Sequence, residues 1–186
     1  MVAMKKKILI CIICFAFMLC SCGKETAPAP STQSEPSDSA PVESRTLTEA
    51  AKERSAAEIL DILLEAASPK EAMTTLLPGD EDYEDSFDFL FDTDISVTSD
   101  SAVCYCTSGR LADEIDVFIL RDAGYASKLT NALKKRASSR ASAYKGYYDT
   151  ESEKAKNALI LSSGNCVVFA VSDNNSDVRN AFGKLF

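Results

Sequence analysis

A cysteine near the N-terminus has neighbours that suit covalent attachment of lipid. The sequence reads Leu19-Cys20-Ser21-Cys22, which places an aliphatic residue and two small residues before a thiol. Cleavage by a peptidase just before Cys22 needs small residues there, and a thioether to diacylglycerol needs the thiol. We predict that Cys22 is lipidated, which supplies two acyl chains and therefore a stable membrane anchor.

The residues before Cys22 have the organisation of an export signal. Three consecutive lysines precede the uncharged apolar stretch Ile8–Leu19. This stretch is shorter than the roughly 20 residues that a membrane-spanning helix needs, and its basic flank is typical of a signal peptide. We predict a lipoprotein signal peptide over residues 1–21; an uncleaved N-terminal anchor is the alternative.

Charge and composition divide the rest of the chain. Residues 1–21 hold three lysines and no acid, so their removal changes the net charge from −8 to −11. Such a charge repels phosphates, so we expect no nucleic-acid partner. Residues 22–45 carry four prolines among small and polar residues, which predicts a flexible tether. Residues 46–186 then suit one domain with a self-sufficient core.

Recognisable catalytic chemistry is absent from the sequence. The chain contains no histidine, which excludes histidine-dependent triads and histidine-ligated metals. It also lacks a Gly-x-Ser-x-Gly elbow, a Gly-x-Gly-x-x-Gly motif and a P-loop. A Ser–Lys dyad stays formally open, although no Ser-x-x-Lys stands in a fitting context. We therefore expect no catalytic residues, no cofactor and no enzymatic activity.

Three carboxylates, Asp113, Glu114 and Asp116, lie close together on a strand-like segment. Glu114 and Asp116 are two residues apart and share one face of the strand. We predict that both point to solvent while the apolar residues between them face inward. Pairing with Arg110 or Arg121 is the ordinary interpretation. Contact of these three carboxylates with a partner is the functional alternative.

The acidic segment 79–94 raises the question of calcium. Asp80, Asp82 and Glu84 alternate like the first ligands of an EF-hand loop. The segment lacks the required glycine, however, and Phe91 stands where the bidentate glutamate is needed. We favour a solvated acidic loop, and a weak site filled only at millimolar calcium remains the residual hypothesis.

Three cysteines, Cys104, Cys106 and Cys166, follow the predicted tether. Cys104 and Cys106 are neighbours on one face of a strand and are poorly placed to bridge each other. Either one can meet Cys166 across a sheet. Three buried free thiols are the favoured interpretation; a disulfide to Cys166 and a thiolate metal site are the alternatives.

The spacing of apolar residues predicts an α+β fold. We expect a single domain in which a mainly antiparallel four-stranded sheet is packed by about four helices. The predicted elements are a helix from a capping box at Thr46–Glu49 to Ala67, a short helix over 69–77, the acidic loop with an aromatic anchor at 87–91, strands at 102–107 and 114–120, a long helix at about 123–145, strands at 158–161 and 166–171, and a last helix after Asp173–Asn175.

The long predicted helix carries five cations in its later turns, which suits the helix dipole. We interpret them as a balance to the acidic loop. Contact with lipid headgroups or an anionic wall polymer is the alternative. The cations are Lys134, Lys135, Arg136, Arg140 and Lys145.

Several stretches resemble a family of Gram-positive bacterial lipoproteins described as a domain of unknown function (DUF4358). The resemblance covers about residues 46–186 and rests on Ala112–Phe118, on Arg136 with Tyr144 and Tyr147, on Asn157–Ala158 with Gly164–Phe169, and on Ala181–Phe182 with Phe186. The family usually has Tyr-Gly where Phe91-Asp92 stands here, and a serine-rich segment without cysteines near Cys104. The resemblance implies no catalytic residues, and an association with envelope O-acylation machinery.

These observations predict a lipoprotein anchored to the extracytoplasmic face of the cell membrane. We expect a binding or accessory module of the cell envelope, whose partners are the membrane through the N-terminal lipid and an unknown envelope protein or wall polymer. An envelope enzyme or an accessory of cell-surface polymer O-acylation is the alternative. A polar cleft with shifted pKa values would favour an enzyme, whereas an apolar patch or open sheet edge would favour binding.

Overall fold

A computed structural model describes residues 54–186, which lie in one compact unit. The predicted signal peptide over 1–21, the Cys22 lipidation site, the tether over 22–45 and the predicted helix start at Thr46 lie outside the described residues. Within residues 54–186, no helix has both the length and the apolar character needed to cross a bilayer.

Residues 54–186 contain five α-helices and five strands, whereas the sequence predicted about four helices and four strands. The helices are α1 (Ala56–Ala67), α2 (Tyr83–Phe91), α3 (Ala126–Tyr144), α4 (Asp149–Lys156) and α5 (Asn175–Leu185). The strands are β1 (Met73–Leu76), β2 (Thr98–Cys106), β3 (Glu114–Leu120), β4 (Leu159–Ser163) and β5 (Cys166–Val171).

The strands form one antiparallel sheet in the order β1-β2-β3-β5-β4. Helices α1 and α5 cover one face, over side chains such as Ile115 and Val117. Helices α2, α3 and α4 cover the other face, where Phe118 and Phe169 lie. Strand β3 is central and is therefore buried on both faces.

The predicted α+β class, the antiparallel sheet and the single domain are confirmed. Strands β3 and β5 have the predicted bounds, and α3 begins three residues later than predicted because a 3₁₀ turn at Ala123–Tyr125 precedes it. Asp122 caps this turn, since its Oδ1 accepts the Gly124 N–H at 2.6 Å.

Helix α1 begins with a capping box at Ser55. The Ser55 hydroxyl accepts the Glu58 N–H at 3.2 Å, and the Glu58 carboxylate accepts the Ser55 N–H at 2.8 Å. These reciprocal bonds satisfy backbone donors that the first turn leaves without partners. The helix ends at Ala67, as predicted, with Ser68 in the left-handed region.

The prediction of a short helix over residues 69–77 is wrong. Residues 73–76 form β1, an edge strand in which Met73 pairs with Cys106 and Leu76 with Val103. Its centre is Thr74-Thr75, and β-branched residues favour strands. The apolar residues Met73 and Leu76, three apart, fit helical spacing equally well, which explains the error.

The predicted acidic loop contains a helix, α2. Tyr83, Phe87 and Phe91 are buried at a spacing of four residues, and their rings pack on one another and on Phe118. The buried aromatic anchor is thus confirmed for Phe87 and Phe91. The assignment of Phe89 to this anchor is wrong, because its side chain is 87% exposed.

Candidate functional site

Glu114 and Asp116 lie at the centre of the domain, on the face of β3 that α3 covers. Both side chains are fully buried, and Asp113 is nearly so. The prediction that Glu114 and Asp116 point to solvent is therefore wrong. These three carboxylates cannot form a contact surface, because helices and neighbouring strands cover both faces of β3.

Two arginines of α3 neutralise Glu114. Arg136 donates from Nε to Oε1 at 2.9 Å and from its terminal nitrogen to Oε2 at 3.0 Å. Arg140 Nε lies 2.9 Å from Oε2, but its N–H is not directed at a hydrogen-bond acceptor. Arg136 thus makes the bidentate pair that fixes geometry, while Arg140 adds an electrostatic contact at 2.9 Å.

Asp116 has a pKa raised well above the ordinary aspartate value. Burial is the main cause, and the neighbouring Glu114 charge adds to it, while Arg136 and the Cys104 N–H oppose it. Its Oδ1 accepts the Cys104 N–H at 3.2 Å, whereas Oδ2 accepts no hydrogen bond within the described part of the chain. A proton on Oδ2 resolves this, since a protonated carboxyl can donate to Glu114.

A pocket of about 500 Å³ opens above these groups, at the C-terminal half of α3. Its lining includes Arg136, Arg140, Tyr144, Tyr147 and Tyr148. Two of the tyrosines form an exposed rim: Tyr147 is 84% exposed and Tyr148 is 50% exposed. We call this feature the arginine–tyrosine pocket. It combines a cationic floor with aromatic walls.

Tyr144 holds the pocket wall in place. Its hydroxyl donates to the carbonyl of Leu111 at 2.6 Å and lies 3.0 Å from that of Gly109. The Arg140 guanidinium carbon lies 5.8 Å from the ring centroid, within cation–π range. The Tyr144 ring therefore positions Arg140 while its hydroxyl ties α3 to the loop before β3.

The charges beneath the pocket do not cancel. With Asp116 protonated, the two arginines carry two positive charges against the single negative charge of Glu114. The cluster therefore has a formal charge of about +1 in a chain whose net charge is −8. The pocket floor is a local positive site on an acidic protein.

A second ion cluster lies around Lys154 of α4. Its ammonium group is 2.9 Å from Asp113 Oδ2, 3.0 Å from Glu151 Oε2 and 3.1 Å from Asp173 Oδ1. These hydrogen bonds raise the pKa of Lys154 although burial opposes the shift. Lys70 adds a more exposed contact to Asp173 at 2.7 Å. The cluster joins α4 to the chain segments before β1, before β3 and after β5.

The three cysteines are free and buried, as the favoured interpretation predicted, and the alternative bridge to Cys166 is not formed. Cys104 and Cys166 lie in the core beside α1 and α5. Burial raises the pKa of the Cys104 thiol and raises that of Cys166 to about 12. These thiols are poor nucleophiles, because the thiolate is the reactive form.

The acidic segment does not gather its carboxylates around one point. Glu84 and Asp85 lie in the first turn of α2, and Asp80 Oδ2 accepts the Leu77 N–H at 2.7 Å. Residues 54–186 contain no group of three or more His, Cys, Asp or Glu side chains arranged to hold a metal ion. Instead of a metal-binding loop, the segment forms the start of helix α2.

The suggested arginine partners of the β3 carboxylates are also wrong. Arg110 pairs with Glu71 at 3.2 Å, and Arg121 donates to the carbonyl of Ser96 at 3.0 Å. The expected balance between the long helix and the acidic segment is confirmed for Lys135, which lies 3.4 Å from Asp92.

Sequence reasoning did not connect Arg140 with Glu114, although a signal was present. Arg136, Arg140 and Tyr144 follow one another at intervals of four residues, which places them along one face of a helix. Two arginines on that face, near the predicted apolar position Tyr144, indicate a buried acidic partner, because buried charges are normally paired.

The fold and the site define a class of protein: a small α+β domain with an arginine–tyrosine pocket over a buried carboxyl pair. Residues 81–172 match the family model described as Domain of unknown function (DUF4358), and the domain belongs to that family. The matched range contains every residue of the pocket and of the Glu114 cluster. Comparison with curated proteins and with solved structures gave no match.

Proposed function

We propose that this chain is a lipid-anchored binding module on the outer side of the cell membrane, and that the arginine–tyrosine pocket is its binding site. One observation carries the proposal. Two arginines that share one buried counter-ion lie under a rim of exposed tyrosines. Tyrosine and arginine are among the side-chain types that contribute most to binding energy.

Membrane anchoring is supported by the sequence before the domain. Leu19-Cys20-Ser21-Cys22 follows a basic and then apolar stretch, and residues 22–45 have the composition of a tether. Lipidated Cys22 would hold the domain near the bilayer without inserting it into the lipid.

Binding rather than catalysis is supported by the position of the group with the most perturbed pKa. A strongly raised carboxyl pKa in an open cleft would favour an enzyme. Asp116 has such a pKa, but it is fully buried and is not among the residues that line the pocket. The side chains that do line it present guanidinium and phenol groups, which hold a ligand by hydrogen bonds and stacking.

Anchoring is tested by Cys22→Ser in the full chain, expressed in a host that lipidates exported cysteines. We expect wild-type protein in the membrane fraction with incorporated fatty-acid label, and Cys22→Ser without label. Cys20→Ser is the matched control and should keep its label. Equal labelling of wild type and Cys22→Ser would contradict the proposal.

Binding at the pocket is tested by photo-crosslinking in cells. A photoreactive phenylalanine analogue replaces Tyr147 at the pocket rim or, as a matched control, the exposed Tyr125, which does not line the pocket. We expect a reproducible adduct from position 147 that position 125 does not give. Absence of any adduct at 147, or equal adducts at both positions, would contradict the pocket as the binding site.

A further inference from the structure

We propose that the arginine–tyrosine pocket binds a saccharide that carries a single carboxylate or phosphate group. This inference rests on the proposed binding function and names the chemical class of its ligand. Three features of the described residues carry it: the charge of the pocket floor, the aromatic walls and the size of the cavity.

The floor supplies recognition of an oxyanion. Arg136 donates two hydrogen bonds to Glu114, and Arg140 Nε lies 2.9 Å from the same carboxylate. Guanidinium groups match carboxylate and phosphate geometry. An oxyanion in the pocket would meet the guanidinium groups of Arg136 and Arg140, which both line it, and would add a charge-assisted contact.

The charge beneath the pocket limits the ligand to one negative group. The cluster of Arg136, Arg140, Glu114 and protonated Asp116 has a formal charge of about +1, and one carboxylate neutralises it. A polyanion would place further charges over a protein with a net charge of −8, which repels them. The site therefore favours a ligand with one anionic group over a charged polymer, and a carboxylate matches the charge of the floor more closely than a phosphate monoester, which carries about two negative charges at neutral pH.

The aromatic walls of the pocket indicate the chemistry of the uncharged part of the ligand. The rings of Tyr147 and Tyr148 flank the pocket and remain substantially exposed. Tyr148 packs edge-on against Tyr144 at 6.4 Å between centroids. Tyrosine presents a flat apolar face together with a polar hydroxyl, which suits a sugar ring with an apolar face and hydroxyl edges.

The size is consistent with this ligand. Small-molecule pockets measure roughly 300–1,000 Å³, and the arginine–tyrosine pocket measures about 500 Å³. It therefore has room for one or two sugar units and not for a folded partner. The proposed display outside the membrane would expose the pocket to saccharides of the cell envelope.

The test is calorimetric titration of the full chain in detergent with four probes: glucose, glucuronate, glucose 6-phosphate and polygalacturonate. We expect both acidic monosaccharides to bind, and glucose to bind at least about tenfold more weakly, because it lacks the charge-assisted hydrogen bond. Comparison of glucuronate with glucose 6-phosphate distinguishes a carboxylate ligand from a phosphate ligand. Polygalacturonate should bind no more tightly per sugar unit than glucuronate.

Variants assign the binding to the pocket. Arg140→Gln should weaken binding of the acidic sugars by about tenfold or more, and Arg179→Gln, an exposed arginine on α5, should not. Tyr147→Ala should weaken binding severalfold, while Tyr125→Ala should not. Because Arg140→Gln removes a partner of buried Glu114, its folding is checked by circular dichroism. Tyr147→Ala, at an exposed position, keeps the test decisive if Arg140→Gln fails to fold.

Several outcomes would overturn the inference: no binding of either acidic sugar, equal binding of glucose, tighter binding of polygalacturonate, or binding that Tyr147→Ala leaves unchanged. Its failure is distinguishable from failure of the proposed function. If crosslinking at position 147 succeeds while both acidic sugars fail to bind, the pocket is a binding site for another class of ligand.

Discussion

The two ion clusters of the domain have opposite charge ratios. Around Glu114, one ionised carboxylate meets two guanidinium groups. Around Lys154, one ammonium group meets three carboxylates. The first cluster lies under an open pocket, whereas the second joins α4 to the segments before β3 and after β5.

The comparison shows that a buried ion cluster can serve two purposes. In the Lys154 cluster Glu151 lies on α4 beside Lys154, but Asp113 and Asp173 belong to other segments, so the ammonium group holds segments together. In the Glu114 cluster both arginines belong to one helix, so their excess charge adds little to the docking of segments. That excess faces the arginine–tyrosine pocket, where a ligand can use it.

The largest expected effect comes from Glu114→Gln. The change leaves two buried guanidinium groups without their counter-ion, and breaking a buried pair costs about 3–5 kcal/mol. We expect a loss near the lower end of this range, because Asp116 can ionise once Glu114 no longer raises its pKa. Urea unfolding of the wild type and the variant measures this loss in the free energy of unfolding.

The matched control for this prediction is Glu65→Gln, at an exposed position on α1, which should change the free energy of unfolding little. The double variant Glu114→Gln with Asp116→Asn removes the substitute counter-ion and should cost more than the sum of the two single changes. Additive behaviour would show that Asp116 does not take over the charge.

Lys154→Met should lower the free energy of unfolding by about 2–3 kcal/mol at neutral pH, since three carboxylates lose their shared ammonium group; this is less than the roughly 3–5 kcal/mol of a fully buried pair because Asp173 is partly exposed. The loss should shrink as the pH falls, because protonation relieves the repulsion between the carboxylates. Urea unfolding of wild type and variant at several pH values measures both effects. Lys156→Met, an exposed position on the same helix, is the control. A loss independent of pH would count against the charge ratio assigned to this cluster.

Asp116→Asn should have the smallest effect and the most informative pH dependence. The folded-state pKa of Asp116 is raised, so the folded state holds a proton that the unfolded state has released. Its contribution to stability is complete below the ordinary aspartate pKa and declines as the pH rises towards the raised value. Asparagine titrates no proton and can still donate to Glu114.

The stability of Asp116→Asn relative to wild type should therefore increase with pH from about pH 4 upward. Urea unfolding at a series of pH values measures this difference, and the exposed Asp88→Asn serves as the reference. A relative stability that falls with rising pH would mean that Asp116 is ionised in the folded protein.

The parts of the fold that the sequence predicted well have strong local signals. Strands β3 and β5 are runs of β-branched and aromatic residues, and α1 and α3 repeat apolar residues at helical spacing. The elements that it missed lack such a signal. Helix α4 has eight mostly polar residues, and Ala155 is its only apolar residue in the described core.

The site shows a different limit of sequence reasoning. Alternation along β3 places Glu114 and Asp116 on one face correctly, but it cannot tell whether that face meets water or a helix. The answer depends on α3, whose Arg136 lies 22 residues beyond Glu114 in the chain. Packing against a helix that is distant in the sequence thus buries Glu114 and Asp116, which were predicted to lie at the surface. The pocket depends on this buried pair.

The most direct test of the positive pocket floor is a carboxyl ¹³C NMR titration of Asp116, assigned by comparison with Asp116→Asn. We expect the raised pKa to keep Asp116 protonated at a pH where an aspartate with the ordinary pKa is already ionised. An ionised Asp116 at that pH would cancel the excess charge of Arg136 and Arg140 and would contradict the assignment of an anion-binding pocket.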